Sequence, residues 1–135
     1  MYIKMVNLII VHHFYLNHIY PSKSYLINYI LMANNKQKEL NRIIDNCISC
    51  CIIKNGTNQI VKNKVLGKAR SENIVMTRCV CVNQLLKAGF NVCTIAEALH
   101  KTPTSIRNIK RLSLTMEKFY KAYRIALEEA NKLNQ

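Results

Sequence analysis

A chain of 135 residues is long enough for one small core but not for a multidomain enzyme. Its formal net charge of +13 and pI near 9.7 disfavour an acidic surface and point to a polyanionic partner, most simply nucleic acid. Half the residues are apolar, Trp is absent, and Gly and Pro are scarce, a balance that suits an all-α domain better than a β-rich one.

Residues 1–31 carry two Lys and no Asp or Glu, with many Ile, Tyr, Asn and His. The apolar run Leu8–Val11 is far below the roughly 18–20 residues of a membrane span, and His12, His13, Asn17 and His18 interrupt a signal-like start. The segment reads as an extension ahead of a second start at Met32. A membrane-associated amphipathic stretch is the other reading, and the three His carry little weight as a metal site. Met32 opens Met-Ala-Asn-Asn-Lys, residues 32–36, which reads as polar and flexible.

From Lys36, Leu40, Ile43, Ile44, Cys47, Ile48 and Cys51 recur at three and four residues and predict a helix, which Asn55-Gly56 would end. Gln59–Leu66 is ambiguous. Gly67-Lys68-Ala69-Arg70 reads as a basic loop, and Ser71 as the N-cap of a long helix with Ile74, Val75, Val82, Leu85 and Leu86 inward, stopped at Gly89.

Two short helical patterns then flank a polar break in Val92–Arg111, VCTIAEALHKTPTSIRNIKR. Ile95, Ala96 and Leu99 share one face of the first, and small Ala96 permits close approach. Ile106 and Ile109 share a face of the second, which Pro103 opens where its missing N–H costs nothing. His100 occupies the turn as a residue able to adopt a left-handed backbone. The outward residues Thr104, Ser105, Arg107, Asn108 and Arg111 can all bond bases or phosphates. This is the layout of a helix-turn-helix, whose second helix lies in the DNA major groove. Finally, Thr115 reads as the cap of a C-terminal helix with Phe119, Tyr120, Tyr123, Ala126, Leu127, Ala130 and Leu133 at helical spacing.

The six Cys suggest reduced, buried thiols rather than disulfides. A zinc site pairing Cys47 and Cys50 with Cys79 and Cys81 is disfavoured, because Cys79 and Cys81 would point to different sides of a helix. No nucleophile–base–carboxylate set is evident, so no enzyme activity is expected.

The stretch VLGKARSENIVMTRCV, Val65–Val80, with Ile74-Val75-Met76-Thr77-Arg78 and the two helical patterns after it, resembles the C-terminal DNA-binding domain of the bacterial replication initiator DnaA, of the TrpR-like superfamily. The resemblance spans about residues 36–112. It implies that Lys68 and Arg70 enter the minor groove, where a narrow A·T-rich groove concentrates negative potential. It implies that Arg78 lies near the DNA backbone, and that Lys101, Thr104 and Ser105 occupy signature positions in the major groove. Two departures stand out. The family's paired glycines at the turn are missing, with one residue deleted, and its Asp-His before two Thr is here Thr102-Pro103. Recognition of the initiator's own box is therefore not expected.

With three glycines and no G-x-x-x-x-G-K-[ST], the chain has no phosphate loop, so neither nucleotide nor any other cofactor is expected. The resulting expectation is an all-α protein: an extension (1–31), a helix-turn-helix DNA-binding domain (32–112) and a C-terminal helix (113–135). It would bind double-stranded DNA in a regulatory or replication-accessory role, in the cytoplasm of a bacterial or phage-infected cell. Asn108 would face adenine and Arg107 guanine or phosphate, while Arg78, Lys101, Lys110 and Arg111 would clamp phosphates. Self-association or a protein partner would use the C-terminal helix, and no membrane is involved. The competing class is a protein-interaction module with only nonspecific nucleic-acid affinity. RNA binding shares the charge but lacks an aromatic stacking surface on strands.

Overall fold

Leu40, Ile43, Ile44, Cys47, Ile48 and Cys51 are all buried, the apolar face read from their three- and four-residue spacing. They lie on and just after α1, Lys23–Cys50, in a computed structural model that describes residues 23–51 and 58–135. Five further helices follow: α2 (Asn58–Leu66), α3 (Glu72–Lys87), α4 (Val92–Ala98), α5 (Pro103–Phe119) and α6 (Lys121–Leu133). The protein is all-α, with no strand among the described residues.

α1 begins earlier than expected and runs through Met32 without a break. The polar residues 33–39 contain no Gly or Pro, so nothing stops the helix from continuing through them. Position 31/32 is therefore not an element boundary. The chain divides into compact units between Glu39 and Leu40, inside α1. Within the first unit, the described residues 23–39 are helical. The expected role of residues 1–22 and the stop at Asn55-Gly56 lie outside the described residues.

In the second unit, Leu40–Gln135, α3 is the central element. It packs against α2, α4, α5 and α6. The expected stripe is too narrow: Ile74, Thr77–Val82, Gln84 and Leu85 are buried, so α3 is covered nearly all round, while Val75 and Leu86 are only partly buried. Thr77 escapes the polar penalty by donating to the Asn73 carbonyl at 2.7 Å. Gln84 donates to Asn131 Oδ1 at 2.8 Å and accepts from Asn134 Nδ2 at 3.1 Å. Asn46 on α1 donates to Asn134 Oδ1 at 2.9 Å, so one amide network fastens α1, α3 and the end of α6.

Ser71 stands at the N-cap of α3 but its side chain makes no capping bond. Gly89 ends α3 as expected. At φ 95° it supplies the left-handed step of a Schellman closure, with Gly89 N–H donating to the Leu86 carbonyl and Phe90 N–H to that of Leu85.

The C-terminal region departs most from expectation. Thr115 caps nothing, because it lies inside α5, which continues past Arg111 to Phe119. The break falls at Tyr120, in extended conformation (φ −118°, ψ 109°), and α6 starts directly after it. Arg124 donates to the Glu117 and Lys118 carbonyls at 3.0 and 3.2 Å, satisfying the end of α5 that no Gly or Pro marks. A boundary at 112/113 thus cuts a helix.

Tyr123 on α6 is fully buried, and its hydroxyl lies near the Ser113 side chain without meeting hydrogen-bond geometry. Burial pushes the phenol far up, so it remains protonated. Tyr123→Phe is expected to stabilise the fold by about 1 kcal/mol, the usual gain on removing an unsatisfied buried polar group. A lower denaturation midpoint for the variant would show that the hydroxyl is bonded.

Five thiols, Cys47, Cys50, Cys51, Cys79 and Cys81, are free and buried, while Cys93 is exposed, against the expectation of burial. Burial pushes Cys51 up to about 11 and Cys79 up to about 12, so both stay as unreactive thiols at neutral pH. No group of three potential ligands among the described residues could hold a metal ion. No described helix is long and apolar enough to cross a membrane.

A candidate nucleic-acid interface

α4 and α5 are joined by Leu99–Thr102. Asn91 caps α4 by accepting from Thr94 N–H at 2.8 Å, and Thr102 caps α5 by accepting from Ser105 N–H at 3.1 Å, with Pro103 at the first helical position. Ile95, Ala96, Leu99 and Ile106 are buried where the two helices meet, and Ile109 is half-buried. α4 ends in a second Schellman closure: His100 N–H donates to the Glu97 carbonyl and Lys101 N–H to that of Ala96.

His100 takes the left-handed position at φ 55°, where a Cβ is strained. His100→Gly should therefore raise stability by about 1 kcal/mol, read as a higher denaturant midpoint. A decrease would show that the imidazole makes a compensating contact.

Core contacts turn Ile106 inward, so helical spacing turns Thr104, Arg107, Asn108 and Arg111 outward. All four are exposed, as is Lys110. Ser105 is half-buried beside the cap, which leaves it less available than Thr104. Two residues that the sequence does not assign to this face extend it. Thr115 and Lys118 continue the alternating four- and three-residue spacing of Thr104, Asn108 and Arg111, and both are exposed. Their signal was present, but Thr115 read as a cap and so ended the pattern. Between Glu97 and Glu117 the chain has no carboxylate side chain, so the exposed face of α5 from Thr104 to Thr115 is uniformly neutral or basic.

The basic loop lies against the α4–α5 turn. Lys101 Nζ donates to the Gly67 carbonyl, which leaves the lysine half-buried. Lys68 and Arg70 are exposed.

Arg78 is placed otherwise than expected. It retains only 7 % exposure, and its guanidinium is consumed by backbone carbonyls. Nε donates to Val65 O at 2.9 Å, Nη1 to Ala69 O at a short 2.6 Å, and Nη2 to Lys64 O and Gly67 O, each at 2.9 Å. The phosphate clamp expected at Arg78 is thus replaced by an internal clasp on these carbonyls. The physical reason is local. Helix α2 ends in unsatisfied carbonyls, and a guanidinium reaching from the next helix offers a planar fan of donors to satisfy them. The clue in the sequence is an Arg next to the buried run Cys79–Val82, where a charge is tolerated only if fully bonded.

Arg70, Arg78 and Lys101 form a cationic group with no carboxylate partner among the described residues. Burial, then the neighbouring Arg70 charge, lowers the Arg78 pKa, although a guanidinium stays protonated. Burial, then Arg78, lowers that of Lys101. Such mutual repulsion is relieved by an approaching anion.

Comparison with protein-family models, with characterised proteins and with solved structures returns no match.

Proposed function

We propose that this chain is a double-stranded DNA-binding protein that uses α4 and α5 as a helix-turn-helix. The observation that carries the reading is the acid-free exposed stretch of α5 from Thr104 to Thr115, with the exposed Lys68–Arg70 loop tied to the turn that precedes it. α5 enters the major groove. Thr104, Arg107 and Asn108 meet base edges, with Ser105 at the margin, and Asn108 suits adenine while Arg107 suits guanine. Lys110 and Arg111 contact phosphates and set register. Lys68 and Arg70 reach the adjacent minor groove, where A·T-rich sequence favours them. Lys101 contributes charge beside the backbone while held by Gly67 O.

The reading requires no cofactor and no nucleotide. It fits a regulatory or replication-accessory role in a bacterial or phage-infected cell, in line with the likeness of residues 36–112 to the initiator's DNA-binding domain.

Selection of the full chain against a randomised duplex library at about 150 mM salt tests it, since affinity has meaning only at stated salt. The expected result is an enriched motif with an A·T-rich flank. Absence of enrichment, with binding only at low salt, favours the alternative of a protein-interaction module. That alternative draws on the exposed Phe119, Tyr120, Ile125 and Leu133 at the α5–α6 corner and along α6.

A further inference from the structure

The loop between α2 and α3 alternates in a regular way. The carbonyls of Gly67 and Ala69 are held by Arg78, while the side chains of the next residues in each case, Lys68 and Arg70, are exposed. Gly67 is held twice, since Lys101 also bonds its carbonyl. There is little slack at this point: a Cβ added at Gly67 would meet Asn63 O at 3.0 Å. Ala69 packs its methyl against the core. Two cations are therefore mounted on a backbone fixed at the positions between them.

Arg78 itself offers little to an outside anion. Every nitrogen of its guanidinium already donates to a carbonyl, and the side chain is buried. Its bonds nevertheless run from the C-terminus of α2 to the loop, and Lys101 carries the connection on to the turn before α5. The loop and the outward face of α5 are thus tied into one unit through these two side chains.

We propose that Arg78 is a positioning residue for nucleic-acid binding, a role that rests on the duplex-DNA reading above. It touches no phosphate, and acts by holding Lys68 and Arg70 in one arrangement relative to α5. A loose loop would have to be ordered at the moment of binding, and a clasped one has already met that entropic cost during folding. The clasp also fixes the spacing between what the loop grips and what α5 reads. Arg78 therefore governs the flank preference of the site without contacting it.

The test uses Arg78→Lys in the full chain, which keeps the charge but cannot span four carbonyls from one ammonium. Trypsin cleavage after Lys68 and Arg70, without DNA, reports the hold on the loop. The variant should be cut at these bonds about tenfold faster than the parent while its circular dichroism is unchanged, as expected for local opening. Equal rates would overturn the clasp.

The second arm is a double-mutant cycle in duplex binding. Arg78→Lys should weaken binding about tenfold in the parent, but less than about twofold in a Lys68→Ala, Arg70→Ala background, because its effect passes through those side chains. The same factor in both backgrounds would overturn the positioning role. In library selection the variant should keep the motif read by α5 and lose the A·T flank, an effect that a general loss of stability would not produce. A parent chain that binds no duplex at any salt sinks the DNA reading and the binding role with it, and the trypsin arm still decides the clasp. Should the buried ammonium of Arg78→Lys prevent folding, Arg78→Met, which keeps an uncharged stem without the carbonyl bonds, takes its place in both arms.

Discussion

Raising monovalent salt from about 50 to about 200 mM is expected to weaken duplex binding by the full chain several-hundredfold, a log–log slope of about −4 to −5. The magnitude follows from the cations the structure leaves available. Lys68, Arg70, Arg107, Lys110 and Arg111 are exposed, whereas Arg78 is consumed by carbonyls and Lys101 is half-committed to Gly67 O. Each cation brought against B-DNA, at a phosphate or within a groove, stands for about one phosphate neutralised and contributes about −0.9 to the slope. Counting Arg78 as a further clamp would steepen the slope by nearly one unit. Arg111→Ala should flatten the slope by about one unit and weaken binding to all sequences alike. Asn108→Ala should leave the slope unchanged and cost about 1–3 kcal/mol only against sites with the preferred base at one position. A slope near zero in the parent would remove phosphate contact, and with it the proposed mode of binding.

The sequence revealed some of this surface and concealed the rest for identifiable reasons. The apolar spacing of α1 and of the α4–α5 pair was legible, because a helix buried on one side imposes a periodic pattern. So were Gly89, Pro103 and the left-handed His100, since backbone geometry at turns admits few residue types. The start of α1 was hidden because residues 33–39 are polar without being helix breakers, and polarity alone does not end a helix. The span of α5 was hidden because Thr115 has the chemistry of a cap. That signal lost to uninterrupted propagation through residues 104–119, which hold neither Gly nor Pro. The all-round burial of α3 could not be read from its own residues. It depends on four other helices converging on it, a tertiary fact.

Arg78 shows the same limit at the level of chemistry. Basic residues in a basic chain invite assignment to a polyanion, and the resemblance to the initiator domain placed Arg78 near the DNA backbone. What distinguishes it from Arg70, eight residues before it, is burial, and burial emerges only once α2 and α3 have packed. One arginine then faces outward as a candidate ligand for phosphate, and the other faces inward as part of the framework. Charge counts alone cannot separate these two uses of the same side chain.

Arg78→Ala is accordingly expected to be among the most damaging single changes in the chain, lowering unfolding free energy by about 3–5 kcal/mol in denaturant titration. Four hydrogen bonds from a charged donor disappear together. Their formal sum at about 1.5–3 kcal/mol each exceeds the expected loss, because carbonyls freed at the end of α2 recover part of their solvation from water as the loop lifts. The remainder comes from the aliphatic stem, whose removal leaves space beside the core. Arg78→Met separates the two contributions: it restores most of the packing without the bonds, and should lie between the parent and the Ala variant. A cost below about 1 kcal/mol for Arg78→Ala would mean that the loop carbonyls are as well served by solvent as by the guanidinium, and the α2–α3 loop would then lose its claim to a fixed geometry. A large cost for Arg78→Ala with none for Arg78→Met would assign the effect to the stem, leaving the four carbonyl bonds as geometry without energetic consequence.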